Sequence, residues 1–476
     1  MPKNDKNSGP FNPGLLLLNR LPGQSLSMQI HDGIQQAIFN GNLPAGSRLP
    51  SCRDLAAQLG VARGTVRRAY DGLVDNQLLI ARGAAGTFVC RHVQPPSLPN
   101  ADHSSPRSAV INDYDMPALT FQMGVPASDC FPAKVWTRLL HKESRQLASL
   151  PFGYPDPRGS LALRHELAAY LAMTRGIRCH PSQILLTQGY AGALGLIFMV
   201  LALRGKTGWI EDPGYPLATR ALQLAGINTI PVKVDDAGIC VEEGIKHGRQ
   251  ADFALVTPGQ QAPLGVTLTS QRRQMLLNWA NERQAWIIED DYLGELQLYG
   301  RAAPALASQD SEGRVLHIGT FSKTLSPLFR CGYLVVPPAL ASRFADAMAA
   351  FNPSASPLLH NTIAAFMRDG HFLRHLRRMK RTYRERLELM AQSLKHEFPL
   401  LRQAGLSLIV GLADASDDQA IAREALKNGM APSPLSSWYA AAQHSRRGLL
   451  LGVTTLPAQG FDACSQRLRE LADNFS

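Results

Sequence analysis

Paired cysteines and long apolar runs are missing from this 476-residue sequence. The seven cysteines stand singly, with no Cys-x-x-Cys pair and no His/Cys cluster at metal-ligand spacing. This excludes a disulfide scaffold and a zinc-finger site, and it is typical of a reduced, cytosolic protein. The longest apolar run, residues 191–203, contains two glycines and is too short to span a bilayer, so we expect a buried helix there. We therefore expect no membrane role and a cytoplasmic location.

Lysine is also missing between residues 11 and 91, where eight arginines stand against four aspartates. The whole chain carries a formal net charge of +11. Such an excess permits binding to nucleic acid or to anionic ligands, although a solvated basic face would show the same composition. Arginine is suited to gripping phosphates and the edges of guanine bases.

Helical and strand patterns divide residues 14–91 into a compact unit. Ser51 is a suitable N-cap for a helix over 52–59, which Gly60 would end. This helix, helices over 28–39 and 62–73, and a strand pair over 78–89 predict a helix-turn-helix followed by a wing. In the helix over 62–73, Val66, Ala69, Tyr70 and Leu73 would form the inner face. A small helical protein-interaction module with a basic face is the alternative.

The rest of the chain is predicted from its composition and from its alternating patterns. Residues 1–13 are polar and contain Gly and Pro, so we expect a disordered N-terminus, and the Pro-, Ser- and Asn-rich residues 92–117 indicate a linker. Between residues 118 and 476, helical stretches alternate with short apolar runs. This predicts an α/β domain with a mostly parallel sheet that binds ligands at the carboxyl ends of its strands.

Lys323 lies among small hydroxyl residues just after the apolar run 314–318. A lysine in this setting is suited to forming a Schiff base with pyridoxal phosphate. Thr320 and Ser322 would donate hydroxyls to the phosphate, and Arg330 would neutralise it. A solvated surface lysine is the ordinary alternative for any one position.

Other residues that suit the same cofactor follow other predicted strands. A helix start at Gly189 and Tyr190 could bind a phosphate through its backbone N–H groups. Tyr215 could stack on a planar ring, Asp290 could pair with a pyridine nitrogen, and Tyr292 could hydrogen-bond the ring oxygen. An acidic cluster such as 289–291 could instead be solvated or bind a divalent metal, but no second oxygen-ligand group favours a metal site.

The N-terminal unit resembles the winged helix-turn-helix of the GntR regulator family. The motifs that carry this resemblance are LPSxRxLA at 49–56, LGVxRxTVRxAY at 59–70 and GTFV at 86–89. The resemblance implies DNA contacts from Arg53, Arg63, Thr65 and Arg67, with Gly86 of the wing against the DNA backbone. The sequence departs from the family at Ala62 and Gly64, where a hydroxyl residue and an Asn or Thr are frequent.

Most of residues 118–476 resemble the fold-type I aminotransferase domain, specifically that of the MocR/GabR-type regulators. The motifs are GYxDPxG at 153–159, EDPGYP at 211–216, EDDY at 289–292 and GTFSK at 319–323. These regulators join a GntR-type winged helix to an aminotransferase-like domain, so the resemblance also covers the two-part organisation. It implies pyridoxal 5'-phosphate on Lys323 and a cofactor site made of Asp290, Tyr292, Tyr215, Gly189, Tyr190, Thr320, Ser322 and Arg330.

The resemblance also carries expectations about the effector and the assembly. An arginine near the C-terminus often binds a substrate carboxylate in such folds, and Arg447 is the nearest candidate, with Arg446 as its rival. A head-to-tail homodimer that reads two half-sites is implied as well. Departures at Gln260, at Leu293 with Gly294, and at Gln297 lie near the expected pocket and leave the effector's identity open.

Together these observations predict a pyridoxal-phosphate-binding transcriptional regulator. It would bind double-stranded promoter DNA and sense an amino compound, or pyridoxal phosphate itself, when an incoming amine displaces Lys323. A working aminotransferase with an accessory winged helix is the alternative, because the residues needed for catalysis are in place. A sensor of free cofactor alone is a third interpretation.

Overall fold

The computed structural model describes residue 18 and residues 24–90, 118–151, 153–351, 356–398, 401–441, 445–457 and 461–475. The predicted disordered N-terminus, 1–13, and the predicted linker, 92–117, lie outside the described residues. The chain divides into two compact units, residues 1–111 and 112–476. Each unit has hydrophobic clusters of its own, so each is described by itself.

The first unit has the predicted helix-turn-helix and wing. Its elements are α1 (Leu26–Phe39), α2 (Cys52–Leu59), α3 (Arg63–Asp75), β1 (Leu79–Ala81) and β2 (Thr87–Val89). Ser51 caps α2, since its Oγ accepts from Asp54 N at 3.2 Å, and Gly60 ends the helix in the left-handed conformation. The four residues predicted to face inward from α3 are all buried: Val66, Ala69, Tyr70 and Leu73. These predictions from sequence are confirmed.

The wing is fixed to the segment that precedes α2. Strands β1 and β2 pair in antiparallel register, with Ile80 opposite Phe88. Leu49 N donates to Thr87 O at 2.9 Å, and the backbone of Arg48 forms a bridge with Phe88. Gly86, at the wing turn, has a φ of +108°, and a Cβ there would lie 2.9 Å from Nε of Arg48. Glycine is therefore required where the arginine side chain crosses the wing.

The second unit is an α/β structure with two sheets. Its strands are β3 (Ile184–Thr187), β4 (Thr207–Asp212), β5 (Asn228–Asp235), β6 (Gly238–Ile239), β7 (Phe253–Val256), β8 (Trp286–Asp290), β9 (Val315–Thr320), β10 (Gly332–Val335), β11 (Leu401–Ala404), β12 (Ser407–Gly411), β13 (Ser433–Pro434) and β14 (Gly448–Gly452). Its helices are α4 (Ala133–Ala148), α5 (Leu161–Thr174), α6 (Gly189–Val200), α7 (Pro216–Leu224), α8 (Val241–Gly248), α9 (Ser270–Arg283), α10 (Ala341–Phe351), α11 (Pro357–Arg368), α12 (His371–Glu397), α13 (Asp418–Lys427) and α14 (Phe461–Asn474).

The larger sheet has the order β3-β10-β9-β8-β7-β4-β5-β6 among the described residues. The central pairs, from β9 through β8, β7 and β4 to β5, are all parallel, which confirms the predicted sheet. Strand β10 runs antiparallel to both of its neighbours, and β6 is antiparallel to β5. The carboxyl ends of the central strands consequently meet at one edge.

Alternate residues of the central strands pack into different clusters. Leu255 joins the cluster that covers one face of the sheet, while Ala254 and Val256 join the cluster on the other. Strands buried on both faces need continuous apolar runs, which explains why the sequence shows runs rather than alternation there. On the second face Trp209 stacks on Trp279, with ring centroids 3.9 Å apart.

A second, antiparallel sheet has the order β11-β12-β14-β13. It was not predicted, because its strands are short and come from two separate stretches of the chain, residues 401–411 and 433–452. Within the described residues, no helix combines the length and the apolar character needed to cross a membrane.

Candidate cofactor site

The predicted cofactor residues come from three strand ends and one helix start. Tyr215 follows β4, Asp290 ends β8, Thr320 ends β9, and Lys323 comes three residues later, while Gly189 begins α6. Since β4, β7, β8 and β9 are parallel neighbours, their carboxyl ends bring these side chains to the same edge. The sheet order thus explains how residues more than 130 positions apart in sequence share one site.

Lys323 is held by a contact that was not predicted. Its Nζ donates to the carbonyl oxygen of Gly124 at 2.7 Å. Burial lowers the pKa of the Lys323 ammonium, and the nearby Asp290 carboxylate acts in the opposite direction. Burial therefore raises the fraction of neutral amine, which is the reactive form towards a carbonyl carbon.

Asp290 is a buried carboxylic acid in a crowded acidic environment. Burial raises its pKa to about 8, and the charges of Asp291 and Glu211 add to this effect, while Lys323 opposes it. An ionised Asp290 would consequently be stabilised by a cation placed beside it. A protonated pyridine nitrogen is such a cation, so this carboxylate fits its predicted role as partner of a pyridoxal ring.

Two tyrosines lie beside Asp290. Tyr190 interacts with its carboxyl group, and burial raises the pKa of the Tyr190 phenol well above its ordinary value. The rings of Tyr190 and Tyr215 lie 6.0 Å apart, edge to face, and both line a cavity that Asp290 also borders. Trp438 lies on another side of Tyr215, at 5.9 Å between ring centroids. The cavity thus offers aromatic surface to a planar ligand.

The residues predicted to bind a phosphate are also near one another. Gly189 has a φ of +73°, and a Cβ there would lie 3.6 Å from the guanidinium of Arg330. Arg330 Nη2 donates to Gln188 O at 3.3 Å. The first turn of α6 and the guanidinium together make a cradle for an anion. Thr320 Oγ1 donates to Ser322 Oγ at 3.1 Å, so both predicted hydroxyls lie together.

Tyr292 borders a second cavity, which Lys323 also lines. Apart from Gly124 and Lys323, its lining residues are Val125, Pro126, Tyr292, Leu293, Leu406 and Thr454. Burial raises the pKa of the Tyr292 phenol, and the Asp290 carboxylate adds to this. Lys323 therefore lies at a cavity with largely apolar walls.

Arg447, predicted to bind an effector carboxylate, is paired within the chain. Its Nη1 lies 3.4 Å from Oδ1 of Asp418, which is fully buried. Ser436 donates to the same carboxylate from its backbone N–H at 2.9 Å and from its hydroxyl at 2.6 Å. Neither Arg447 nor Arg446 is among the residues that line the two cavities. The role of Arg447 stays a prediction.

Sequence reasoning missed a buried carboxylate in the first cavity. Glu211 accepts from Thr257 N at 3.0 Å and from Gln261 Nε2 at 3.2 Å. Burial raises its pKa to about 7, against these hydrogen bonds. Nothing local in the motif at 211–216 shows which of its two acids points into the cavity, so the sequence indicated only Tyr215.

A buried ion-pair network behind the site was also missed. Nδ1 of His317 lies 2.9 Å from Glu289 Oε2, and Arg175 Nε donates to Asp291 Oδ2 at 2.6 Å. Burial would lower the pKa of His317, but the Glu289 carboxylate raises it above its ordinary value. Of the acidic residues 289–291, only Asp290 lines the first cavity, while the two beside it have cationic partners.

The predicted DNA-contact residues lie on the first unit. Arg53, Arg63 and Arg67 are exposed, and Thr65 is partly exposed on the first turn of α3. Ala62, at the N-cap of α3, makes no side-chain cap hydrogen bond. Helix α3 therefore presents an arginine-rich surface, as the DNA-binding prediction requires, but with an uncapped start.

Comparisons with known proteins match both units. Residues 26–89 match the family described as "Bacterial regulatory proteins, gntR family", and residues 127–446 match "Aminotransferase class I and II". The chain is 34% identical to the probable rhizopine catabolism regulatory protein MocR of Rhizobium meliloti, over 92% of each chain. It is 30% identical to the pyridoxine biosynthesis transcriptional regulator PdxR of Corynebacterium glutamicum, over 80% of this chain and 81% of the other.

Solved structures support the fold of the second unit. The Pyrococcus horikoshii kynurenine aminotransferase, in complex with PMP, is similar with a TM-score of 0.65 and 25% identity. The similarity covers 76% of this chain and 91% of that structure. The architecture is accordingly a GntR winged helix followed by a fold-type I aminotransferase domain.

Proposed function

The chain belongs to the GntR-type transcriptional regulators that carry an aminotransferase class I and II domain, and from this membership we propose that it is a pyridoxal-phosphate-dependent sensor of an amino compound. Regulators of the GntR family bind promoter DNA, and the transcriptional role follows from that membership. The observation that carries the proposal is the partly buried lysine Lys323 interacting with the buried acid Asp290 at neighbouring strand ends.

The residues that would hold the cofactor form two groups. Gly189, the first turn of α6 and Arg330 would bind the phosphate, with help from the hydroxyls of Thr320 and Ser322. Asp290 would pair with the ring nitrogen, Tyr215 would face the ring, and Tyr190 would lie close to both. When bound, pyridoxal phosphate supplies an aldehyde that reacts with primary amines.

The contacts of Lys323 suggest how ligand binding would be coupled to DNA affinity. Lys323 Nζ donates to Gly124 O, and Thr454 Oγ1 donates to Val125 O, so both side chains contact the segment around residues 124–125. This segment follows the predicted linker, 92–117, in the chain. If ligand occupancy at Lys323 changes the position of the segment, DNA affinity shifts by the corresponding coupling free energy, in either direction.

DNA binding would use the exposed arginines of the first unit. Arg63 and Arg67 on α3, with Arg53 on α2, suit contacts to phosphates and base edges. We further propose a homodimer in solution that reads two half-sites, which sedimentation of the full chain can test.

The first experiment tests the cofactor site. The full chain and Lys323→Ala are incubated with pyridoxal phosphate, and their visible absorption spectra are compared after removal of free cofactor. We expect a protein-bound band in the parent only, and borohydride reduction should attach the cofactor mass to the peptide that contains Lys323. Lys380→Ala, which removes another partly buried lysine, is the control. A band of equal strength in Lys323→Ala would reject the proposal.

The second experiment tests the regulator against the aminotransferase alternative. A duplex selected from a random pool and a scrambled duplex of equal composition are titrated with the holo-protein at two salt concentrations. We expect preference for the selected duplex and an affinity that falls as salt rises. Steady turnover with a keto-acid acceptor, without sequence preference on DNA, would favour the enzyme instead.

A further inference from the structure

The cavity beside Lys323 has walls that do not suit an anion. Its side chains, among the residues that the structure describes, are aliphatic or aromatic except for Thr454 and Lys323 itself. Val125, Pro126, Leu293 and Leu406 supply the aliphatic surface. An ionised carboxylate moved from water onto such a surface loses hydration, and the cation of this lining, Lys323, already donates to Gly124 O.

Apart from the Tyr292 hydroxyl, the side-chain donors at this cavity are engaged with backbone carbonyl oxygens. Gly124 O points at Lys323 Nζ, at 2.7 Å, and the Thr454 hydroxyl donates to Val125 O. A carbonyl oxygen stabilises a donor and repels a carboxylate. A carbonyl oxygen has two lone pairs, so Gly124 O can also accept from an N–H or O–H group of a ligand.

The arginine expected to receive a carboxylate is engaged in a structural pair. Asp418 is fully buried, and Arg447 is its only cationic partner among the described residues. The backbone N–H of Gly448 also points at this carboxylate, at 3.3 Å. Moving Arg447 to a ligand would leave Asp418 with neutral donors only, and the free energy of that loss opposes the move.

We propose that the effector is a primary amine whose tail carries no carboxylate: an amine with an apolar or hydroxyl-bearing tail. The amino group would react at the cofactor, and the tail would lie against Leu293 and Leu406 with a donor towards Gly124 O. This deepens the proposed function and rests on it, because the cavity is defined by Lys323.

The test uses holo-protein and matched amines. Butylamine, 4-amino-1-butanol and 4-aminobutanoate have the same chain length and amino groups of nearly equal basicity. Each is titrated while the visible absorption of the bound cofactor is followed, and the same titrations with free pyridoxal phosphate correct for intrinsic reactivity. We expect half-saturation by the two uncharged-tail amines at concentrations at least tenfold below that of 4-aminobutanoate.

Three variants place the preference in the cavity. Leu406→Arg adds a cation to the wall and should lower the half-saturating concentration of 4-aminobutanoate at least tenfold relative to that of butylamine. Leu406→Gln, its matched polar control, should cause no such change. Arg447→Gln, in which Asp418 keeps its neutral donors, should leave the response to all three amines within twofold of the parent. The comparison of amines on the parent protein stands even if a variant fails to fold.

Two results would overturn the inference alone, and a third would also overturn the proposed function. Tighter response to 4-aminobutanoate than to butylamine, or its selective loss in Arg447→Gln, would show that an arginine takes a carboxylate after all. Absence of any bound-cofactor band would instead overturn the proposed function, and the inference with it.

Discussion

Asp290→Asn should stabilise the apo-protein and weaken its hold on pyridoxal phosphate. The pKa of Asp290 is raised from the ordinary 3.8 to about 8, because burial and two neighbouring carboxylates oppose its ionisation. At about 1.36 kcal/mol per pKa unit, this shift in pKa lowers the free energy of unfolding by roughly 5–6 kcal/mol above pH 9. At pH 7 it corresponds to about 4 kcal/mol, because Asp290 ionises in the unfolded chain and largely stays protonated in the folded one.

The sign follows from proton binding. Between pH 4 and 8 the folded state holds one more proton at this position than the unfolded state, so this contribution to stability falls as pH rises. It is fully present below pH 3.8 and lost above about pH 8. Asparagine cannot ionise, so the variant lacks this loss.

Thermal melting of the apo-protein from pH 5 to pH 9 measures the effect. The melting temperature of Asp290→Asn should exceed that of the parent by a margin that grows with pH. Asp346→Asn, the same chemical change at an exposed position, is the control and should show no such trend. In parallel, the dissociation constant for pyridoxal phosphate should rise at least tenfold in Asp290→Asn, because the ring nitrogen loses its carboxylate partner.

Each half of this prediction can fail separately. Parallel melting curves for parent and variant across the pH range would refute the effect of burial on Asp290. Unchanged cofactor affinity would refute its role as partner of the ring nitrogen.

Three further substitutions test other parts of the structure. Gly86→Ala forces a side chain into a φ of +108° against Arg48, so we expect the free energy of unfolding of the winged helix to fall by about 1 kcal/mol or more. DNA binding, measured by fluorescence anisotropy, should weaken as well, and an unchanged DNA affinity would contradict this prediction. Ala62→Ser supplies the cap that α3 lacks and should raise the free energy of unfolding of this unit by about 1 kcal/mol in urea, with Ala62→Val as the non-capping control. Gly189→Ala strains the cradle beside Arg330, so its affinity for pyridoxal phosphate, measured by absorbance titration, should fall at least tenfold. The affinity for pyridoxal, which lacks the phosphate, should stay the same. Equal losses of affinity for both compounds would refute the phosphate role.

Local features of the chain were predictable from sequence. The Ser51 cap, the Gly60 terminus and the inner face of α3 follow from residue chemistry and helical spacing, and the structure confirms them. The central strands were also predictable, because parallel strands buried on both faces leave continuous apolar runs. The sheet order then accounts for Asp290 and Lys323 sharing a site.

Features that depend on distant contacts were not predictable. Nothing near Gly124 in sequence indicates that its carbonyl accepts from Lys323, 199 positions away. Similarly, Arg447 has the same local appearance whether it binds a ligand or Asp418, and only packing decides between them. The sheet of β11–β14 escaped prediction because its strands are two to five residues long and because the pairing of β12 with β14 skips a strand.

The contact between Lys323 and Gly124 has a consequence for how the second unit matures. It joins the start of the unit to the end of β9, so it can form only after most of the intervening chain has been synthesised and arranged into the sheet. Such long-range closure is slow compared with the formation of helices. During refolding, helical circular dichroism should consequently recover before the colour of the bound cofactor. That colour would then report completed molecules, and a nascent chain that ends before residue 323 would remain colourless.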